Sequence, residues 1–269
     1  MRLDAALPAR GLARSRTHAA GLIADGLVTV DGRPVVKPSA QVSADARIEV
    51  AATDHYVSRA AHKLIAGLDA FGVDPAGRIA LDMGASTGGF TQVLRERGAG
   101  PVIAVDVGHG QLAASIAGDS GVISIEGFNV RYMTPEVLAA ESGVSEPPQL
   151  ITGDLSFISL SLVLPAARAV AAPVADLVLL VKPQFEVGRT AVKGGLVTDP
   201  ASRSDAVAGV LWSAWDAGLG THGVIASPIA GTHGNAEFIA HLRLRADGAQ
   251  AEGNPTEWLS TVNRLTGSR

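Results

Sequence analysis

The chain has 269 residues, of which 47% are hydrophobic and 18% charged, and its formal net charge is −4. This composition supplies enough apolar material for one large core and leaves room for a small second domain. The lack of cysteine excludes disulfides and thiolate metal sites, and neither a membrane span nor a secretory signal is recognisable. We therefore expect a cytoplasmic protein without a metal or a membrane partner.

Charge is distributed unevenly along the chain. Residues 1–63 contain nine Lys and Arg against six Asp and Glu, a net charge of +3, whereas the remainder has a net charge of −7. A basic segment joined to an acidic body is expected when one module grips phosphates and the other has a different task. Three charges also arise by ordinary variation, so the asymmetry alone does not identify a nucleic-acid partner.

The first part of the chain is predicted to form a compact α/β unit. Ser15 can cap a helix, and Asp31-Gly32 is typical of a two-residue hairpin turn. The predicted elements here are a helix at 16–24 and strands at 27–30 and 47–50. We predict a first domain at 1–51, a linker at 52–62 and a second domain at 63–269.

Strands and helices alternate in the second domain, a pattern typical of a doubly wound parallel sheet. The predicted strands are residues 79–82, 102–106, 122–126, 150–154 and 177–182, with helices at 91–97, 112–117 and 160–171 between them. A longer helix after Pro200 and two late strands at 223–226 and 238–244 complete the pattern.

A glycine-rich turn follows the first of these strands. Glycines let the backbone approach a ligand closely at the start of a helix, where N–H groups are open. Asp106 ends the next strand, 24 residues after Asp82, where a carboxylate can receive the ribose hydroxyls of an adenosine-containing cofactor. The candidate cofactor-binding residues are Asp82, Gly84, Ser86, Thr87, Gly88, Gly89, Phe90, Asp106 and Asp154.

Dinucleotide enzymes, methyltransferases and plain tight turns all use such a loop, and two details favour methyl transfer. Ala85 and Ser86 stand where a strict dinucleotide motif has its middle glycine. Asp82, at the end of the strand, would repel a pyrophosphate but can meet the sulfonium and ammonium charges of S-adenosylmethionine.

Charged residues also end two later strands. Asp154 ends the strand at 150–154 and Lys182 ends the strand at 177–182, so both are expected at the carboxyl edge of the sheet, where ligands bind. A lysine that closes an apolar strand is costly to desolvate unless it is paired. Lys63 and Glu237 can complete the set, although each residue taken alone also fits a solvated or capping role.

These residues resemble the TlyA family of ribose methyltransferases, the hemolysin-like relatives of the FtsJ-type 2′-O-methyltransferases. The similarity covers almost the whole chain and is carried by residues 56–64, 82–90, 154–159 and 182–188. It implies a Rossmann-like class I methyltransferase with a seven-stranded sheet, behind a small RNA-binding domain of the ribosomal protein S4 type. The chain departs from the family where Ala60 and Ala61 follow Arg59, since a glycine is usual there.

The resemblance also implies a substrate and a set of catalytic residues. The substrate is ribosomal RNA in one or both subunits, methylated at cytidine 2′-hydroxyls with S-adenosylmethionine as cofactor. The implied catalytic set is Lys63, Asp154, Lys182 and Glu237. We hypothesise that Lys182 approaches the hydroxyl, that Lys63 adds positive potential, and that the two carboxylates hold the lysines.

Basic side chains are the candidates for RNA contact, because phosphate contacts supply affinity rather than sequence choice. The candidate RNA-binding residues are Arg2, Arg14, Arg16, Lys37 and Arg59.

Two other functions compete with this interpretation. An NAD-dependent oxidoreductase would use the same glycine turn and Asp106, but it leaves Lys182 and the S4-like segment unexplained. A non-enzymatic RNA-binding or membrane-active protein is disfavoured because the chain has no long basic amphipathic helix and retains Asp154 and Lys182.

Overall fold

We describe the protein from a computed structural model. The structure describes residues 1–13, 15–24, 26–50, 55–188, 192, 194–231, 234–245 and 252–268. The chain divides into two compact units, Met1–Tyr56 and Val57–Arg269.

The amino-terminal unit packs two short helices against a small antiparallel sheet. Its elements are α1 (Leu3–Ala9), α2 (Arg16–Ala24), β1 (Val28–Val30), β2 (Arg33–Pro34) and β3 (Ile48–Val50), with the strands in the order β2-β1-β3. Ser15 Oγ accepts from His18 N at 3.1 Å, which is the cap predicted for α2. Asp31 and Gly32 have φ of 50° and 75°, the left-handed backbone that the predicted hairpin turn requires. The core is formed by Leu3, Leu7, Ile23, Val28 and their neighbours.

The second unit is built on one seven-stranded sheet. Its strands are β4 (Ala80–Met83), β5 (Val102–Val105), β6 (Val122–Ile125), β7 (Leu150–Gly153), β8 (Asp176–Val181), β9 (Leu219–Ala226) and β10 (Phe238–Leu244). They lie in the order β6-β5-β4-β7-β8-β10-β9, with β4 to β8 parallel and β10 antiparallel to both of its neighbours. The predicted Rossmann-like fold is therefore confirmed.

Helices cover both faces of this sheet, as a parallel sheet requires. They are α3 (Ala61–Phe71), α4 (Gly89–Glu96), α5 (Ala114–Ala117), α6 (Pro135–Ser142), α7 (Leu164–Val170), α8 (Pro183–Glu186), α9 (Pro200–Asp216) and α10 (Leu259–Thr266), with 3₁₀ turns at Val130–Tyr132, Leu160–Leu162 and Pro255–Trp258. All residues of β4, β5, β7 and β8 are buried, which explains their nearly continuous apolar sequences.

Two elements begin four residues away from their predicted starts, whereas the other predicted elements of the second unit agree more closely. The strand predicted at 223–226 begins earlier, at Leu219, because Gly218 ends α9 with a φ of 85° and the fully buried Leu219 can pair at once with β10. The helix predicted at 160–171 starts as the 3₁₀ turn Leu160–Leu162, and α7 begins only at Leu164, with Pro165 in its first turn.

The order of the strands creates a binding position. β4 has β5 on one side and β7 on the other: the chain adds β5 and β6 on one side of β4 and then crosses to β7 on the other side, so the strand order reverses at β4. Ligands of open α/β sheets bind at such a point, beyond the carboxyl ends of the strands. Within the described part of the chain, no helix is both long and apolar enough to cross a bilayer.

Candidate active site

The loop between β4 and α4 depends on glycine at two points. Gly84 has a φ of +81°, and a Cβ there would lie 3.0 Å from Leu155 Cδ2 and 3.2 Å from Asp154 O. Gly88 has a φ of +95° immediately before α4. The loop therefore needs left-handed backbone, and at Gly84 it also needs the absence of a side chain, to come this close to the residues after β7.

Asp106 holds the same loop from the end of β5. Its Oδ2 accepts from Ser86 N and its Oδ1 accepts from Gly108 N, both at 2.8 Å. The side chain remains partly exposed and lines a cleft, so its oxygens can accept further hydrogen bonds from a ligand.

Asp82 lies in β4, and its side chain points into the interior of the protein and not into the cleft. Its side chain is fully buried and accepts hydrogen bonds from Thr91 Oγ1 at 2.7 Å and Thr152 Oγ1 at 3.1 Å. Burial raises the pKa of this carboxyl to about 6, against the effect of the two threonine hydrogen bonds. These hydrogen bonds join β4 to α4 and β7, whereas we predicted that Asp82 contacts the cofactor directly.

Four charged side chains meet at the carboxyl ends of β7 and β8. Lys63 Nζ donates to Glu237 Oε2 at 2.7 Å and to Asp154 Oδ2 at 3.5 Å. Lys182 Nζ lies 2.6 Å from Asp154 Oδ1 and donates to Ser156 Oγ at 2.9 Å. The four side chains are 2–14% exposed, and their two positive and two negative charges cancel, so each buried charge has an opposite partner.

Distant parts of the sequence supply these side chains. Lys63 lies in the first turn of α3, and Glu237 immediately precedes β10, 174 residues later. The amino end of α3 is packed closely, because Ala61 is fully buried and a Cβ on Gly89 would lie 2.9 Å from Ser58 Cβ. Of the two alanines at which the chain departs from the family pattern, Ala60 is the N-cap of α3 and Ala61 is its first residue, so both belong to the start of the helix that carries Lys63.

Two adjacent cavities open at this edge of the sheet. The larger, of about 730 Å³, extends from Asp106 to Asp154, and the smaller, of about 190 Å³, reaches Lys182. The predicted cofactor-binding residues that line one or both are Gly84, Ser86, Thr87, Gly89, Phe90, Asp106 and Asp154. Among the residues described, the other two predicted cofactor-binding residues, Asp82 and Gly88, line neither cavity. Lys63 and Glu237 do not line them either; Lys63 contacts Asp154 and Glu237 contacts Lys63.

An exposed aromatic ring stands at the rim of the larger cavity. Phe157 is 92% exposed and has a φ of 65°. Left-handed backbone at a bulky residue costs on the order of 1–3 kcal/mol and concentrates at functional sites. Among the described residues, the ring partner of Phe157 is Phe185, at 5.3 Å between centroids. No local sequence signal distinguishes such a ring from a core residue.

The predicted RNA contacts lie in different settings. Arg2 and Arg16 are 46% and 60% exposed, and both donate to Asp4, whose pKa falls to about 2 chiefly through the hydrogen bond from Arg2. Lys37 is exposed, and Arg59 is partly buried in the second unit. Arg14 lies outside the described residues.

Known proteins share both units of this chain. The S4 domain family matches residues 1–48, and the FtsJ-like methyltransferase family matches residues 56–244. The 16S/23S rRNA (cytidine-2′-O)-methyltransferase TlyA of Mycobacterium tuberculosis is 48% identical over 92% of this chain and 91% of its own. Hemolysin A of Brachyspira hyodysenteriae is 37% identical over 90% of this chain and 99% of its own. The solved structure of a hemolysin-named protein from Streptococcus thermophilus superposes with a TM-score of 0.76 and 34% identity, covering 99% of this chain and 94% of that one.

The fold, the charged edge and the matched families define a class I methyltransferase joined to an S4 domain. The chain belongs to the FtsJ-like methyltransferase family, and within it to the TlyA group. The family predicted from the sequence is confirmed, and the oxidoreductase alternative is excluded.

Proposed function

We propose that this protein transfers a methyl group from S-adenosylmethionine to the 2′-hydroxyl of a cytidine ribose in ribosomal RNA. The observation that carries the proposal is the 2.6 Å contact between Asp154 and Lys182 beside the glycine loop, because it joins an ammonium group to a cofactor-sized cleft. The activity named for the relative from Mycobacterium tuberculosis supports the substrate. Since that substrate is the ribosome, we assign the activity to the cytoplasm.

The residues of the larger cavity fit S-adenosylmethionine. Gly84 lines this cavity, and the carboxylates of Asp106 and Asp154 suit a molecule that carries sulfonium and ammonium charges. Asp106 stands where an acidic side chain receives ribose hydroxyls in related folds. When bound, this cofactor supplies a methyl group on a positively charged sulfur.

The protein's own side chains would orient the acceptor and manage its proton. A ribose hydroxyl is a poor acid, so transfer needs a base or a cationic neighbour as the proton leaves. Lys182 Nζ lines the smaller cavity and fills this role, either as a neutral base or as an ammonium group beside the developing oxyanion. Asp154 positions Lys182 through their ion pair. Lys63, which donates a hydrogen bond to Glu237, also donates to Asp154 and so fixes its carboxylate.

Exposed groups in both units are suited to RNA. An unstacked base can rest on an aromatic face, and Phe157 offers one at the rim of the cleft. Arg2, Arg16, Lys37 and Arg59 are our proposed phosphate contacts, together with Arg14 on sequence grounds.

Replacement of Lys182 tests the proposal. Separated 30S and 50S subunits are incubated with labelled S-adenosylmethionine, the modified ribose is mapped, and cofactor affinity is measured by calorimetry. Lys182→Ala should lower kcat by about 10²- to 10⁴-fold while cofactor affinity stays close to that of the parent. Arg168→Ala, which removes an exposed cation of the same unit, is the control and should act like the parent. A normal rate in Lys182→Ala, or no ribose methylation by the parent, would overturn the assignment.

A further inference from the structure

The short helix α8 lies between two charged residues that contact the same loop. Lys182, before the helix, contacts Asp154 and Ser156 at the start of the loop. Glu186, the last residue of the helix, accepts from Leu160 N at 2.9 Å through Oε1 and from Ser159 Oγ at 2.5 Å through Oε2. Two side chains four positions apart therefore anchor opposite ends of residues 154–160, which we call the rim loop.

The rim loop carries the exposed aromatic ring between these two anchors. Leu155 and Ile158 pack against the core, whereas Ser156 and Phe157 are exposed. The left-handed backbone at Phe157 is not a conformation that a free chain favours, so the surrounding structure has to impose it. The anchor at Ser159 and Leu160 lies only two to three residues after that position.

We infer that Glu186 is a positioning residue that fixes the rim loop for methyl transfer to RNA, acting as a hydrogen-bond acceptor without touching the substrate. This inference rests on the proposed function. A carboxylate can accept from a backbone N–H and a hydroxyl at the same time, whereas alanine would leave Leu160 N without its acceptor. The loop would then lose its second anchor, and small displacements of groups that orient a substrate reduce rates strongly.

The surroundings of Glu186 differ from those of a solvated surface carboxylate. Burial raises the pKa of Glu186, and the hydrogen bonds from Leu160 and Ser159 act in the opposite direction. Glu186 is thus a buried carboxylate whose two oxygens both accept hydrogen bonds from the rim loop.

The conservative variant Glu186→Gln distinguishes a hydrogen-bonding role of Glu186 from a role that depends on its negative charge. In Glu186→Gln the amide oxygen can accept from Leu160 N, and the amide nitrogen can donate to the Ser159 hydroxyl, so both contacts survive without a negative charge. An acid, a base or a charge partner would be lost equally in the Gln and Ala variants.

The test compares Glu186→Ala, Glu186→Gln and Glu141→Ala, an exposed glutamate of α6 that serves as the control. Steady-state transfer to ribosomal subunits gives kcat and KM, calorimetry gives cofactor affinity, and thermal melting verifies folding. We expect kcat/KM for the subunit to fall by about ten- to a hundredfold in Glu186→Ala, with cofactor affinity close to that of the parent. Glu186→Gln should recover most of the loss, because both contacts can form again.

Amide hydrogen exchange at Leu160 reports the anchor without any reaction. Exchange should be faster in Glu186→Ala and close to the parent in Glu186→Gln. An unchanged kcat/KM or unchanged exchange in Glu186→Ala would overturn the inference, as would a Gln variant as impaired as the Ala variant. If the parent methylates no ribose, the proposed function fails and the positioning role fails with it, even where exchange shows the anchor. A loss confined to the Ala variant leaves the proposed function standing.

Discussion

Lys63 and Glu237 are the most deeply buried of the four charges at the carboxyl ends of β7 and β8, and either of them without the other would be an unpaired buried charge. Their side chains are 8% and 2% exposed, and the 2.7 Å hydrogen bond between them offsets the loss of hydration. Breaking a buried ion pair on one side is strongly destabilising, whereas replacing both partners by apolar groups is often neutral. The stability and the function of this pair can therefore be separated.

Glu237→Leu should lower the free energy of unfolding by about 3–5 kcal/mol, because among the described residues Lys63 then keeps only the 3.5 Å contact with Asp154. The double variant Lys63→Met/Glu237→Leu should regain most of this loss but remain a poor methyltransferase, since Asp154 has lost its support. Urea unfolding and transfer assays on both proteins measure the two effects. A double variant as unstable as the single one would contradict this account of the pair.

Asp82 makes a pH-dependent contribution to stability. The folded state raises its pKa from 3.8 to about 6, so the folded protein binds this proton more tightly than the unfolded chain does. The contribution is therefore complete below about pH 4 and is lost as the pH rises through about 6.

Asp82→Asn tests this linkage, because an amide stays neutral and can still bond Thr91 and Thr152. Between about pH 4 and pH 7, the parent should lose on the order of 1–3 kcal/mol of stability relative to the variant. Urea unfolding of both proteins at the two pH values gives the difference. Equal pH dependence in both would show that Asp82 keeps an ordinary pKa.

At the scale of elements, the loops after β4 and β7 pack closely against each other. A Cβ on Gly84 would lie only 3.2 Å from Asp154 O, and Asp154 in turn contacts Lys182 after β8. Three neighbouring strands thus contribute to one surface, and a change in the first loop reaches the residues that we assign to the chemistry.

Gly84→Ala should weaken cofactor binding and lower stability by more than about 1 kcal/mol, because it adds a close contact with Asp154 to the strain of left-handed backbone. The control is Gly143→Ala, at a φ of +70° with open space around the position, which carries the strain alone. Calorimetry and urea unfolding compare the two. If Gly84→Ala behaved like the control, the close approach at Gly84 would have no role in the site.

At the scale of the whole molecule, the charge asymmetry is smaller than the sequence indicated. Counted over Met1–Tyr56, seven Lys and Arg stand against six Asp and Glu, a net charge of only +1, because Arg59 and Lys63 belong to the second unit. Lys63 is moreover neutralised inside the active site. The match to the S4 domain family, rather than net charge, therefore supports RNA binding by the first unit.

Lys37 is exposed, and replacing it tests whether its ammonium group contacts an RNA phosphate. Lys37→Ala should reduce the slope of log affinity against log salt for a ribosomal RNA fragment by about one. The control is Arg97→Ala. It removes a cation of the second unit that is paired with Asp69 of the same unit, and it should leave the slope unchanged. An identical slope in Lys37→Ala would remove Lys37 from the RNA contacts.

The sequence by itself determined the alternation of strands and helices, the glycine turn and the charged ends of β7 and β8, because periodicity and turn chemistry are local properties. Family resemblance extended this to Lys63 and Glu237. Only the tertiary structure decided that these residues, 174 positions apart, share one hydrogen bond. It also decided that Asp82 is fully buried between β4, α4 and β7, that Phe157 is exposed, and that Glu186 anchors the rim loop. Burial and side-chain contact depend on which distant elements pack together, and no local pattern records that.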